Sequence, residues 1–206
     1  MSMFDELARL GSATVYEAAG RQGLVDVPLH RIVPGSAAAG PARTVRCGRG
    51  DNLMVHAAMA AVAPGDVLVL TMSEPEPFAL VGDLMATQAK AHGAAAILVD
   101  GAVRDVDELA ELGLPIWARF VSIRGATKDV PGELDVPVTV GGQAIEPGDA
   151  VVLDGDGAAI VPAARIAEVL GLARERAERE AVKRDKLRSG ALSYDLDGLR
   201  ERVEGA

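Results

Sequence analysis

An α/β single domain is what this sequence predicts, and three observations predict it. Helical and strand-like segments alternate along the chain. Two nearly identical turn signals, Pro64-Gly65-Asp66 and Pro147-Gly148-Asp149, each precede a short apolar run that reads as a buried strand. With 206 residues, 49% of them hydrophobic, the chain can bury one substantial core. Only 3% are aromatic, so Ala, Val and Leu must build that core.

The elements follow in order. Ala13 to Arg21 reads as a short helix, with Ser12 placed to cap it. Ala42 to Cys47 resembles a strand, and Asn52 to Val62 a helix rich in Ala and Met. After the first Pro-Gly-Asp turn comes a strand at Val67–Leu70, then a helix from Leu84 to about His92, a turn at Gly93 and a strand at Ala95–Val99. Asp100 to Val103 reads as a turn, and Asp105 opens a further helix. Strands are expected at Val136–Val140, at Ala150–Leu153 after the second Pro-Gly-Asp turn, and at Ala158–Val161. From Ala164 to about Leu187 the chain is helical and becomes highly charged after Arg174, which suits either a solvated face or packing against another subunit. No linker divides the chain, so residues 1–206 read as one domain.

Bulk properties exclude several functions. A net charge of -9 argues against general nucleic-acid or anionic-membrane binding, both of which need basic surfaces. No apolar run reaches the length of a membrane span. Met1-Ser2-Met3-Phe4-Asp5-Glu6 has no basic stretch followed by an apolar one, so no secretory signal is visible. Cys47 is the sole cysteine and cannot form an internal disulfide. A reduced, cytoplasmic setting is the expectation.

The most informative spacing is Asp83, twenty residues, then Arg104-Asp105. A helix of about nine residues covers roughly 14 Å, and a strand of about five retraces roughly 16 Å. Asp83 and the Arg-Asp pair should therefore finish at the same end of the unit. Two carboxylates and a guanidinium in a small space suit a divalent metal beside an anionic substrate. Gly82-Asp83-Leu84-Met85 falls at the start of a helix, whose first amides have no internal partners and whose dipole favours an anion. Gly82 would let a carboxylate approach the backbone closely.

Each of these residues also has a structural reading. Asp83 could simply cap its helix. Asp105, three residues before Glu108, could open a capping box. Arg104 could form an ion pair with a neighbouring aspartate, but its fork also suits bidentate binding of a carboxylate. His56 lies among Ala and Met and reads as a packing histidine, while His30 and His92 have no identifiable partners. A zinc site is poorly supported; carboxylate and water ligands suit magnesium or manganese.

These segments together resemble the 4-hydroxy-4-methyl-2-oxoglutarate aldolase family, which also includes the regulator of ribonuclease E activity. The resemblance runs from Leu10-Gly11-Ser12-Ala13-Thr14-Val15-Tyr16-Glu17-Ala18 through Gly50-Asp51-Asn52 and Gly82-Asp83-Leu84-Met85-Ala86-Thr87. It continues through Val99-Asp100-Gly101-Ala102-Val103-Arg104-Asp105, Pro115-Ile116-Trp117-Ala118-Arg119 and Gly125-Ala126-Thr127-Lys128 to Pro147-Gly148-Asp149. The aspartate, the twenty-residue gap and the Arg-Asp pair form the family signature.

The resemblance implies a β/β/α swivelling-domain-like layered sandwich, assembled as a homotrimer or a pair of trimers. It implies a divalent-metal-dependent aldolase (Mg2+ or Mn2+) whose partner is a small-molecule 2-oxoacid substrate: it cleaves 4-hydroxy-4-methyl-2-oxoglutarate, or a related 4-hydroxy-2-oxoacid, to pyruvate and also decarboxylates oxaloacetate. Carried over, Asp105 ligates the metal directly and Arg104 binds substrate at the developing enolate oxygen. The amides of Gly82, Asp83, Leu84 and Met85 hold the pyruvyl carboxylate. Asp83 orients metal-bound water and is a candidate acid for the enolate. Glu180 matches an acid that these aldolases take from the neighbouring subunit and that acts on the metal through water; Glu178 lies close enough to shift that assignment by a turn. A non-catalytic regulator that binds ribonuclease E is the alternative. The methyltransferase label sometimes attached to this family is disfavoured, because Leu53 stands where Gly48-Arg49-Gly50 would need its third glycine.

Overall fold

A computed structural model describes residues 2–205. Helices α1 (Met3–Leu10) and α2 (Ser12–Ala18) lead into a two-residue strand β1 (His30–Arg31) and the long strand β2 (Ala38–Cys47). Then come α3 (Leu53–Ala58), β3 (Val67–Met72), β4 (Ala79–Val81), α4 (Asp83–Ala91), β5 (Ala96–Val103), α5 (Val106–Leu112) and β6 (Ile116–Val121). Short strands β7 (Glu133–Leu134), β8 (Val138–Val140) and β9 (Gln143–Ile145) precede the hairpin β10 (Ala150–Leu153) and β11 (Ala158–Val161). The chain closes with α6 (Ile166–Arg188), α7 (Ser193–Leu196) and α8 (Leu199–Glu204).

The centre is parallel: β2 pairs with β3, β3 with β5 and β5 with β6. Parallel neighbours need crossovers, and α3, α4 and α5 supply them. Consecutive strand residues serve opposite faces. Leu68, Leu70, Ile97 and Val99 join the cluster under α3–α5, whereas Val67, Val69, Ala96 and Leu98 pack towards β10, β11 and the β8–β9 hairpin. A third cluster lies between the β10–β11 hairpin and helices α1, α2 and α6.

Strand β2 divides its pairing. Ala38–Pro41 run antiparallel to β10, whereas Ala42–Cys47 run parallel to β3. The change falls at Gly40-Pro41, where Pro41 has no N–H to give and a Cβ on Gly40 would strike the Gly65 carbonyl. The sheet curls here. The two Pro-Gly-Asp turns are built alike, with Gly65 at φ 93° and Gly148 at φ 87°. In each, the aspartate amide bonds back three residues to Ala63 or Glu146, and the carboxylate accepts the amide of that same residue.

Several boundaries differ from the sequence expectation. Ser12 is not a cap: its N–H and hydroxyl both donate to the Asp154 carboxylate, and Gly11 occupies the cap position. The helix expected over 52–62 ends at Ala58, and the strand expected from 136 begins at Val138. Asp100 to Val103 is not a turn but the second half of β5, which is buried throughout. Tertiary pairing with β4 and β6 holds this segment extended despite its Asp-Gly dipeptide. In α6 the last buried residue is Ala173, so its charged half stands clear of the core. No helix among the described residues is long and apolar enough to cross a membrane.

Candidate active site

Strands β4 and β5 build the site. They pair in parallel with Val81 opposite Val103, and the Arg104 amide donates to the Val81 carbonyl at 3.1 Å. The residues that follow each strand, Gly82-Asp83 and Arg104-Asp105, are therefore neighbours. Convergence was expected from a helix and strand of equal reach. However, β5 spans eight residues, roughly 26 Å at ~3.3 Å per residue, and outruns α4. The short strand β4, invisible in the sequence pattern, sets the meeting point instead.

Asp105 decides between its two readings. It occupies the N-cap position of α5 but makes no side-chain cap bond there, and its φ of 60° lies in the left-handed region. Aspartate tolerates that region better than most residues. Here it turns the carboxylate away from its own helix. Oδ2 instead accepts the Asp83 amide of α4 at 3.2 Å and lies 3.5 Å from Arg104 Nε. The capping-box reading of Asp105 is thus corrected. A carboxylate at the first amide of the nine-residue α4 is where the helix dipole favours negative charge.

Gly82 is required by space rather than by torsion. A Cβ there would lie 2.5 Å from Asp105 Oδ2 and 3.1 Å from Arg104 Nε. Gly82→Ala is therefore expected to push the Asp105 carboxylate aside and lower any activity of the site about a hundredfold. Its thermal midpoint should stay near that of the unaltered protein, because Arg104 is exposed and Asp105 lies close to it at the surface. Turnover within a factor of about two would contradict the crowding.

A cleft of about 230 Å³ opens at this point, lined by Gly82, Asp83, Leu84, Met85, Arg104 and Asp105 together with Asn52, His56, Ala79, Ala126 and Lys128. Asp83 and Met85 are half-buried at its wall and Leu84 is exposed. All of the site residues expected within one chain's 82–105 segment meet here. Glu180 does not line the cleft: on α6 its carboxylate pairs with Arg176 at 2.9 Å. The sequence reading of His56 is corrected too, since it is exposed and faces the cleft rather than packing in the core.

Three contributors were not singled out from the sequence: Asp51, Asn52 and Lys128. Asp51 is fully buried. Its carboxylate accepts the Thr127 hydroxyl and the Asp129 amide at 2.6 Å each, the Leu53 amide at 2.8 Å and the Val130 amide at 3.1 Å. It thereby ties the 125–130 loop, which carries Ala126 and Lys128, to the start of α3. Burial pushes its pKa up, but the Thr127 hydroxyl and the three amides outweigh that and hold it at about 2. A depressed carboxylate stabilises the fold above its unfolded value and loses that contribution as pH falls. Stability is therefore expected to drop by roughly 2 kcal/mol between about pH 4 and pH 2, an effect Asp51→Asn should largely remove. Urea midpoints across that range measure it. The sequence signals were the Gly50-Asp51-Asn52 and Gly125-Ala126-Thr127-Lys128 segments of the family resemblance, neither of which shows that Asp51 and Thr127, 76 residues apart, are partners.

Among the described residues no three His, Cys, Asp or Glu side chains cluster as a ready metal cage. The cleft offers the hard carboxylate oxygens of Asp83 and Asp105, with the imidazole of His56 on its wall. The two carboxylates fit an ion such as magnesium that keeps most of its waters and takes one or two carboxylates.

Comparison with known proteins adds the relationship. Residues 12–160 match the family model described as RraA-like, Aldolase/RraA. The chain belongs to the RraA-like family. A Halalkalibacterium halodurans protein provisionally named a 4-hydroxy-4-methyl-2-oxoglutarate aldolase is 36% identical over 165 residues, 80% of this chain and 76% of that protein. A crystal structure of an uncharacterized Pseudomonas syringae protein superposes with TM-score 0.82 at 28% identity, covering 92% of this chain and 90% of that one. Streptomyces coelicolor RraAS2, described as an unusual member of the RNase ES inhibitor RraA protein family, gives TM-score 0.78 at 32% identity over 88% of this chain and 95% of that one. The match in this RraA-like chain spans the whole cleft, including the segments around Asp51, Asp83, Arg104 and Lys128.

Proposed function

We propose that this protein is a divalent-metal-dependent aldolase that releases pyruvate from 4-hydroxy-4-methyl-2-oxoglutarate or a related 4-hydroxy-2-oxoacid, with oxaloacetate decarboxylase activity. The observation that carries the reading is the Asp105 carboxylate, turned from its own helix onto the first amide of α4 beside Arg104. The Asp83 amide is taken by Asp105, so the pyruvyl carboxylate would be received by the amides of Leu84 and Met85, with Gly82 beside them. Arg104 would face the C2 oxygen, where negative charge develops as the C3–C4 bond breaks. Asp105 would hold the metal and Asp83 a water beside it. The bound ion would supply Lewis-acid stabilisation of the same developing charge.

The C-terminal arm extends this reading. Beyond Ala173 it buries nothing, and Val182, Leu187, Leu192, Leu196 and Leu199 are exposed along it. We assign that arm to a subunit interface of a homotrimer or hexamer, where Glu180 would reach a neighbour's cleft. The competing reading, a regulator that binds ribonuclease E, draws on the description of RraAS2. The two carboxylates and the arginine kept together in one cleft favour the enzyme.

A lactate dehydrogenase-coupled assay for pyruvate tests the proposal on 4-hydroxy-4-methyl-2-oxoglutarate and oxaloacetate. Pyruvate release should stop in excess chelator and return with magnesium or manganese. Full activity in chelator would exclude the metal-dependent mechanism, and no release from either substrate would favour the regulator.

A further inference from the structure

Asn52 holds the one buried side-chain polar atom among the described residues that has no hydrogen-bond partner. It stands at the N-cap position of α3, is nine-tenths buried and lines the cleft. Its backbone N–H donates to the Thr127 carbonyl at 2.9 Å, and its Nδ2 donates to the Leu80 carbonyl at 3.1 Å. The second bond settles the orientation of the amide, because the flipped form would set oxygen against oxygen. Oδ1 is left as the orphan. Buried acceptors are nearly always paired, so one left without a partner in a side chain that lines the cleft points to a donor supplied by a ligand, which a small rotation of the amide would bring within reach.

We infer that Asn52 Oδ1 accepts the C4 hydroxyl of the substrate and so selects 4-hydroxy-2-oxoacids over oxaloacetate. This rests on the aldolase reading. Of the cleft's other polar groups, Arg104 and Lys128 only donate, Asp83 and Asp105 are taken by the metal and its water on the proposed reading, and His56 is exposed rather than buried without a partner. A neutral amide oxygen accepts from a hydroxyl and repels a carboxylate. Oxaloacetate offers a carboxylate at C4 and no hydroxyl, so it gains nothing from Oδ1.

The contact also suits the bond changes. As C3–C4 breaks, its electron pair passes into the enolate of the pyruvyl half. The C4–O bond becomes the carbonyl of the second product, and the hydroxyl proton leaves to water in the open cleft. Asn52 is not the base. It fixes the hydroxyl direction in the bound substrate and releases it as the proton leaves, and a site built around one hydroxyl discriminates strongly against a substrate lacking it.

The test is kcat/KM for 4-hydroxy-4-methyl-2-oxoglutarate and for oxaloacetate on the unaltered protein, Asn52→Ala and Asn52→Ser, with circular dichroism to check folding. Both variants should lose roughly tenfold to a hundredfold on the hydroxy acid yet stay within about threefold, or rise, on oxaloacetate. If Asn52→Ala does not fold, the smaller change to serine carries the comparison. Equal losses on the two substrates would mean that Asn52 only supports the cleft wall. Unchanged values on both would mean that water alone satisfies Oδ1. Either result overturns the inference. Pyruvate release from neither substrate by the unaltered protein overturns the aldolase reading itself, before any variant is made, and this inference with it.

Discussion

Arg104→Ala is expected to reduce pyruvate release by at least tenfold to a hundredfold while leaving the thermal midpoint almost unmoved. The side chain is half exposed, and its ion pair is the 3.5 Å approach to Asp105. Exposed pairs of that kind contribute little to stability. On the proposed aldolase reading its value lies in the cleft, where a guanidinium beside a developing enolate oxygen would stabilise charge that is absent from the bound ground state. Arg104→Lys keeps the charge but loses the planar fork, so it should recover only part of the rate. Near-normal turnover in Arg104→Ala would sink the site assignment. A large loss of stability would instead make Arg104 a structural residue, returning it to the ion-pair reading its sequence position also allowed.

Asp51→Ala should produce the opposite pattern, with stability falling first and activity following. The carboxylate gathers one hydroxyl and three amides in a fully buried position, and its removal leaves those donors unpaired. A cost of about 3–5 kcal/mol is expected, which in a chain of this size lowers the thermal midpoint by roughly 10 °C. The loop carrying Lys128 would be released from α3, so any residual folded fraction should bind substrate poorly. A midpoint within about two degrees of the unaltered protein would show that water replaces the carboxylate and that the loop is held by other contacts. Paired with the acid stability profile of Asp51→Asn, the two measurements separate the charge from the hydrogen-bond geometry.

Much of the parallel core was legible because it is written in local pattern. The apolar runs at Val67–Leu70, Ala150–Leu153 and Ala158–Val161 are strands, and each Pro-Gly-Asp turn sits where its residues require it. Strands β4 and β6 and the continuation of β5 through Asp100-Gly101 were not read as strands. The three residues of β4 carry no periodicity, the β6 run Ile116–Val121 is broken by Arg119, and an Asp-Gly dipeptide ordinarily signals a turn. Their extended form comes from neighbours: β4 and β6 flank β5 and supply its ladder bonds.

The site divides along the same line. Spacing predicted that Asp83 and Arg104-Asp105 meet, but it is the parallel pairing of β4 with β5, not a helix and strand of equal reach, that brings them together. Sequence could not choose between Asp105 as a cap of its own helix and Asp105 as a carboxylate turned onto α4 beside Arg104, because both use the same residue in the same place. A left-handed backbone at Asp105 and the absence of a Cβ at Gly82 made that choice. Asp51, Asn52 and Lys128 joined the cleft through contacts between residues far apart in the chain, such as Asp51 with Thr127 and Asn52 with Leu80. The sequence by itself determined the α/β class and the position of the two acids and the arginine. Only tertiary packing decided which way their side chains face, and which buried oxygen was left without a partner, since both depend on atoms that sequence distance does not connect.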